Sequence, residues 1–287
     1  MPTGLLSTDG KNSTSSTEGS STGSYLIPRT LYNTLISAVR KKLVLRSLAA
    51  KVIGPRSIPG SSIDIPLQTS DSMGVFEVSE GAEIPMDVES YSSINLKPVK
   101  YGVRIAITSE MEEDSLFDVM AMNVETAGYQ LADNEEALIV AQLDAASSAA
   151  SNDVSGGASL TQANITTAMQ KLEGSNYTPS HFVIGAEVAN DIRNLDIFTR
   201  ADASGVTDPS QRLIGKIFGM KVIVSNNVSA KLGYVLDANQ SFIIAEKRPV
   251  TIQRYKDYAR DTNFAVATQR VKVRYLRSGA VSEITTS

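Results

Sequence analysis

From Leu116 to the Ser/Ala-rich tract at 145–151 the chain has no proline, and Leu116, Met120, Val124, Ala127, Leu131 and Leu138 recur in steps of three, four or seven residues. Such spacing predicts one uninterrupted α-helix, and at 1.5 Å per residue it is about 45 Å long or more. A compact small domain has no need of an element that long. The apolar stripe is also sparse, with Gly128, Asn134 and Glu135 beside it, so the helix is expected to lie across a thin structure rather than inside a thick core. Ser109 with Glu112 and Ser115 with Asp118 resemble N-terminal capping boxes, in which a side-chain oxygen accepts an otherwise unpaired amide of the first turn, and they mark where the helix begins.

What precedes the helix is extended. Residues 1–24 are mostly Ser, Thr and Gly with almost nothing apolar after Leu6, too little to offset the entropy of ordering, and they read as a flexible arm. Pro28 stands where a helix start tolerates proline, and Leu31, Leu35, Val39 and Leu43 follow at helical spacing, which predicts a short amphipathic helix. Gly54, Pro55, Pro59 and Gly60 end it. Ile63, Ile65 and Leu67 then alternate as a strand does, and so do Val99, Tyr101, Val103, Ile105 and Ile107. Polar turns at Ser70-Asp71-Ser72 and Ser79-Glu80-Gly81 separate them. The apolar content is thin for so long a segment, and an isolated hairpin of this kind is marginally stable at best. Support from outside the segment is expected.

After the helix, residues 152–157 read as a Gly/Ser-rich break and a domain boundary. The rhythm then becomes α/β. Thr161 caps a helix carrying Ile165, Met169 and Leu172; Phe182, Val183 and Ile184 read as a buried strand; Glu187 to Leu195 reads as a helix. Strands are expected at Lys221 to Ser225, Leu232 to Leu236 and Phe242 to Ala245, and alternation at Val250 and Ile252 and at Val271, Val273 and Tyr275 closes the chain in β-structure.

Composition excludes several chemistries. No residue is cysteine, which rules out disulfides, thiolate metal sites and a cysteine nucleophile. His181, the sole histidine, follows Thr178-Pro179-Ser180 before an apolar strand, where it reads as a loop residue and not as the proton carrier of a catalytic triad. No phosphate-binding loop or dinucleotide fingerprint occurs, and Gly215 with Gly219 is a turn-like pair. Glu110, Glu112, Glu113 and Asp114 sit where a helix start favours carboxylates, and Asp202 to Asp208 lacks the alternating oxygens of a calcium loop. No catalytic residue, cofactor or metal is assigned. No apolar run is long enough to cross a bilayer, and no basic-then-apolar leader is present, so residence in the cytosol is expected.

The net charge of -4 is unlike that of a dedicated nucleic-acid binder, and its distribution says more. Between Glu18 and Asp64 there is no acid, while Arg29, Arg40, Lys41, Lys42, Arg46, Lys51 and Arg56 all fall there. From Asp71 to Asp118 the balance inverts, and from Lys247 to Arg277 it is basic again. Blocks of opposite sign serve either as internal partners and solvated faces or as surfaces by which identical copies recognise one another.

The order of parts carries a resemblance. Val78-Ser79-Glu80-Gly81-Ala82-Glu83-Ile84-Pro85 in the hairpin, Leu96-Lys97-Pro98-Val99-Lys100 returning from it, Thr108-Ser109-Glu110-Met111 with Asp114-Ser115 before the long helix, and Gly215-Lys216-Ile217-Phe218-Gly219-Met220-Lys221-Val222 downstream resemble the tailed-virus major capsid proteins of the Hong Kong 97 fold, over roughly Tyr25 to Ile284. The resemblance implies an α+β fold with an N-terminal arm (1–27), an N-terminal helix region (28–56), an extended loop (57–107), a peripheral domain with a spine helix (108–154 and 249–287) and an α/β axial domain (155–248). It implies a subunit that assembles with itself into hexamers and pentamers of an icosahedral shell around double-stranded DNA in the host cytoplasm. Its partners would be a separate scaffolding protein, a portal, a decoration protein and non-specifically contacted DNA, with no membrane. No long helical region precedes the arm, so a built-in scaffolding domain is expected to be missing.

In such shells the extended loop lies on a neighbouring subunit. Glu80, Glu83 and Asp87 are therefore expected to approach Arg40, Lys41, Arg46 or Arg254 of an adjacent copy. Two other readings remain open on sequence: an encapsulin-like compartment shell with the same fold, and, from a different class, a soluble enzyme with an unrecognised site. A tail or other virion component is a further structural option.

Overall fold

The computed structural model describes residues 43–58, 60–68, 74–115, 118–195 and 215–286; the amphipathic segment expected from Pro28, with Arg40 and Lys41, lies outside them. A 3-10 turn, Leu45–Leu48, leads into β1 (Lys51–Ile53) and the hairpin β2 (Ile63–Gln68) and β3 (Tyr91–Leu96), followed by β4 (Val99–Thr108). Helices α1 (Ser109–Asp114) and α2 (Val119–Ala150) come next. The α/β part comprises β5 (Val154–Gly157), α3 (Gln162–Glu173), β6 (His181–Ile184), α4 (Ala186–Asn194), β7 (Lys216–Ile217), β8 (Met220–Val224) and β9 (Leu232–Leu236). Two long strands, β10 (Phe242–Asp257) and β11 (Thr262–Tyr275), and β12 (Val281–Thr286) complete the chain.

The expected long helix divides at its start. Thr108 Oγ1 accepts the Met111 amide to open α1, and Asp118 accepts the Ala121 amide at 2.8 Å to open α2. The capping oxygens are thus not those of Ser109 and Ser115: Ser109 Oγ turns to Asp261 at 2.9 Å, across the tertiary structure. The 32 residues of α2 span about 48 Å at about 1.5 Å each. Ser151, in the left-handed conformation with its amide on the Ser147 carbonyl, ends the helix.

Two principal sheets flank α2. One has the order β1-β10-β11-β4, with β1 parallel to β10 and the rest antiparallel; the other runs β5-β12-β9-β6-β8-β7. The C-terminal half of α2 fills the junction, where Ile139, Leu143 and Ala146 pack with Tyr234, Phe242, Val271 and Val281. A second core joins α3 and α4 to the six-stranded sheet through Ile165, Leu172, Phe182, Val188 and Ile192. Gly185 lets α4 approach the backbone after β8, since a Cβ there would meet the Ser229 carbonyl oxygen at 2.1 Å. The N-terminal half of α2 has only narrow contacts: Met120 with Ile107 and Ala265, then Ala127 and Leu131 with Ala267. The thin structure expected from the sparse stripe is found in this half.

Two features differ from the sequence expectation. The Gly/Ser-rich break at 152–157 contains β5, an edge strand held parallel to β12 with Val154 opposite Ile284. Phe242 to Ala245 and the alternation at Val250 and Ile252 belong to one 16-residue strand, bent by register shifts on either side of Arg248. The expected partition at 248/249 therefore falls inside β10, and Val281–Thr286 lies in the six-stranded sheet beside the residues expected to be axial.

Candidate assembly interface

The hairpin β2–β3 is in register from Ile63 opposite Leu96 to Gln68 opposite Tyr91. Among the described residues its apolar packing is at the root, where Leu96, Ile63 and Ile65 pack with Ile53, Ile58, Ile243 and Ala245. Beyond the root, residues 74–90 have no regular structure apart from the turn at Glu80-Gly81, in which Ala82 donates to the Ser79 carbonyl at 3.0 Å and Gly81 takes a φ of 81°. Val75, Ile84, Met86, Val88 and Tyr91 are almost wholly exposed there, Met86 at 93%. Glu77, Glu80, Glu83 and Asp87 lie among them, and no base occurs between Gly74 and Leu96. Asp87 accepts the amides of Gly74 (2.6 Å) and Val88 (2.9 Å), which hold its carboxyl below the usual range and keep it charged. An acidic segment studded with exposed aliphatics is unusual on a subunit that works alone.

The basic residues expected to meet it are in different situations. Arg46 is engaged within its own chain: its guanidinium pairs with Glu135 of α2 at 2.6 Å and with Glu246 of β10, and its side chain keeps 45% exposure. Gln269 Nε2 donates to the same Glu135 at 2.7 Å. Next to it, Glu136 accepts the Leu45 amide at 2.7 Å and Asn227 Nδ2 at 3.0 Å, and burial pushes its carboxyl upward. This network ties the start of the described chain to α2 and the four-stranded sheet. Arg254 is exposed near the outer end of β10, opposite Ala265, on the sheet face that Met120 of α2 covers. The sequence did not reveal the buried glutamates, because nothing local marks Glu135 and Glu136 as interior.

His181 is held beside Ser180, with Nδ1 3.0 Å from the hydroxyl, and burial with nearby Lys221 keeps it neutral. Ser180 Oγ also reaches the Leu236 carbonyl and the Ala238 amide, which makes it a structural bridge between β6 and β9. An open cavity of about 880 Å³ lies beside Arg46, lined by Val44, Val52, Ala132, Pro249 and Val250, and its carboxylates are the ion-paired Glu135 and Glu246 and the hydrogen-bonded Glu136.

Residues 23–284 match the model of the phage capsid family. No curated protein matches the chain in sequence. The capsid structure of the cyanophage P-SCSP1u is similar at a TM-score of 0.75 and 15% identity, over 93% of this chain and 96% of that one. A chain of Mycobacterium phage Che8 is similar at 0.72 and 16% identity, over 90% and 96%. The capsid of a native GTA particle follows at 0.69 and 16%, over 93% and 97%. At these identities the likeness is one of fold, and the α+β capsid fold expected from the resemblance is the fold observed. With nearly its whole length matched by the family model, the chain belongs to the phage capsid family and is a major capsid protein of that kind.

Proposed function

We propose that the subunit assembles with copies of itself into hexamers and pentamers of an icosahedral shell that encloses double-stranded DNA, put together in the host cytoplasm with a separate scaffolding protein and a portal. A decoration protein would bind from outside, and DNA would be contacted without sequence preference. The observation that carries this reading is the extended segment at 74–91, which leaves its aliphatic side chains in water within its own chain. A neighbouring copy would cover them and so complete what the single subunit leaves open. In this assignment residues 57–107 form the extended loop, 108–154 with 249–287 the peripheral domain and 155–248 the axial domain, with β12 lending its strand to the axial sheet. Glu80, Glu83 and Asp87 face basic residues of the adjacent subunit, with Arg254, Arg40 and Lys41 as candidates; Arg46, already paired internally, contributes only through its exposed edge.

Negative-stain electron microscopy of the protein expressed alone and with its neighbouring genes tests the reading. Closed icosahedral particles are expected, and a monomer under every condition would overturn it. Glu80→Lys with Glu83→Lys should leave the subunit folded while impairing shell formation; shells in normal yield from this variant would remove the acidic segment from the interface.

A further inference from the structure

The six-stranded sheet packs one face on α3 and α4 and turns the other toward α2. At its β7 edge the two faces differ sharply. Ile217 and Met220 are buried on the α3–α4 side, so Lys216 and Lys221, their neighbours in the alternation, stand on the α2 side. There the helix covers the middle of the sheet, where Ile139 and Leu143 share a core with Val183, Tyr234 and Leu236. Toward β7 the cover stops: Ile223 is half-buried, and Lys216 and Lys221 are exposed.

The register places Lys216 opposite Lys221 and Lys221 opposite His181, so one row across β7, β8 and β6 carries two lysines and the histidine. Like charges set directly opposite each other destabilise a sheet. Nothing in the chain offsets them: among the described residues, neither Lys216 nor Lys221 is in an ion pair. The charge that acts on His181 is that of Lys221 and not of a carboxylate. Asp237, just after β9, is turned to its own loop, where it accepts the Asn239 amide at 3.0 Å. Residues 209–236 contain no acid at all, while Arg212, Lys216, Lys221 and Lys231 fall among them. The turn that joins the two lysines adds an aromatic ring. Phe218 holds a φ of 46°, costly for a bulky side chain, and is 42% exposed. Two-residue turns with this backbone favour Asn-Gly or Gly-Gly, so the turn itself does not call for phenylalanine.

We infer that the row of Lys216, Lys221 and His181 is a binding site for the sugar–phosphate backbone of double-stranded DNA. The inference rests on the proposed enclosure of DNA and says where a subunit touches it; the α2 side of the six-stranded sheet is then the side turned to the lumen. Three positions at the strand spacing of about 4.8 Å span about 10 Å, which is the rise of about three nucleotides along one strand at about 3.4 Å each. Both charges are flexible ammonium groups rather than guanidinium forks, which suits a backbone that passes in no fixed register better than a bidentate carboxylate partner. His181 closes the inner end of the row without bringing an acid to it, and the Phe218 ring is placed to lie on the sugar beside the phosphates. Two lysines contribute little affinity per subunit, in keeping with a chain of net charge -4. Repetition over many copies supplies the rest.

Fluorescence anisotropy of the purified full chain with a labelled duplex of arbitrary sequence tests this between about 0.05 M and about 0.2 M salt. The parent affinity should fall with a logarithmic slope of about -2. Lys216→Glu with Lys221→Glu should lower the affinity at the low-salt end by about tenfold or more and remove most of that slope. Lys216→Arg with Lys221→Arg should keep both, and so should Lys231→Glu, at the other end of β9 from the row. Equal affinity of the parent and the double glutamate variant overturns the inference. If that variant binds duplex as the parent does but forms no shells, the row is a contact between copies, which overturns it too. Electron microscopy of particles made with the neighbouring genes separates the two readings: variant shells in normal yield with less DNA support the site, whereas parent shells that never hold DNA would remove the enclosure reading and leave the row to the anisotropy. Should the variant misfold by circular dichroism, lysine acetylation of the parent protein decides. Duplex should protect Lys216 and Lys221 and spare Lys231, and equal modification of all three with and without duplex overturns the inference.

Discussion

Glu283 of β12 stands directly opposite the buried Tyr234 of β9 and shares a hydrogen bond with Asp144 of α2. Ser147 of the helix accepts the Glu283 amide at 2.8 Å and donates to Asp153 at 2.7 Å, while Lys171 of α3 reaches the Asp153 carbonyl. Burial, then the shared hydrogen bond, pushes the Glu283 carboxyl up from 4.5 to about 7. A carboxyl raised in this way binds its proton more tightly when folded. The subunit should therefore lose stability as the pH rises from about 4.5 to about 7, with no recovery above it. Urea unfolding at the two ends of that window checks this: Glu283→Gln, which cannot ionise and still hydrogen-bonds Asp144, should narrow the difference seen in the parent protein. Arg46 presents the opposite case, a cation between buried partners. Arg46→Ala leaves Glu135 and Glu246 uncompensated and should cost about 2 kcal/mol in denaturant unfolding, below the range for a fully buried pair because the guanidinium is half-exposed.

Helix α2 is one element with two environments. Its C-terminal half is walled by both sheets, with Ile139 and Leu143 wholly buried, whereas its N-terminal half rests on the small contacts of Ala127 and Leu131 with Ala267. Local opening follows contact density. Amides of 122–133 should exchange with deuterium faster than those of 137–147 in the isolated subunit, and the difference should shrink in shells if neighbours cover the thin half. The existence of the helix was legible because periodicity is a local property. Its caps were read one residue late at Thr108 and three residues early at Asp118, since Thr, Ser and Asp all cap well and the choice was made by Ser109 turning to Asp261 far along the chain.

For the whole molecule, opposite charge blocks that meet across copies imply a dependence on salt. Assembly measured by light scattering should weaken as the ionic strength rises from about 0.1 M to about 1 M, where screening shortens from about 10 Å to about 3 Å. An interface held by the aliphatic side chains alone would show no such loss. By itself the sequence determined the kinds and order of elements, the lack of a self-sufficient core in the extended segment and the capsid family resemblance, because spacing, turn residues and composition act over short distances. The tertiary structure decided which sheet each strand joins. It carried β12 back to β5 and β9, ran β10 through the expected boundary, closed Arg46 onto Glu135 and Glu246, and aligned Lys100, Arg270 and Arg248 on one rung. These pairings join residues from 22 to 200 positions apart in sequence, and no local pattern specifies which of many compatible strands or charges will meet; only the packing of both sheets on α2 does.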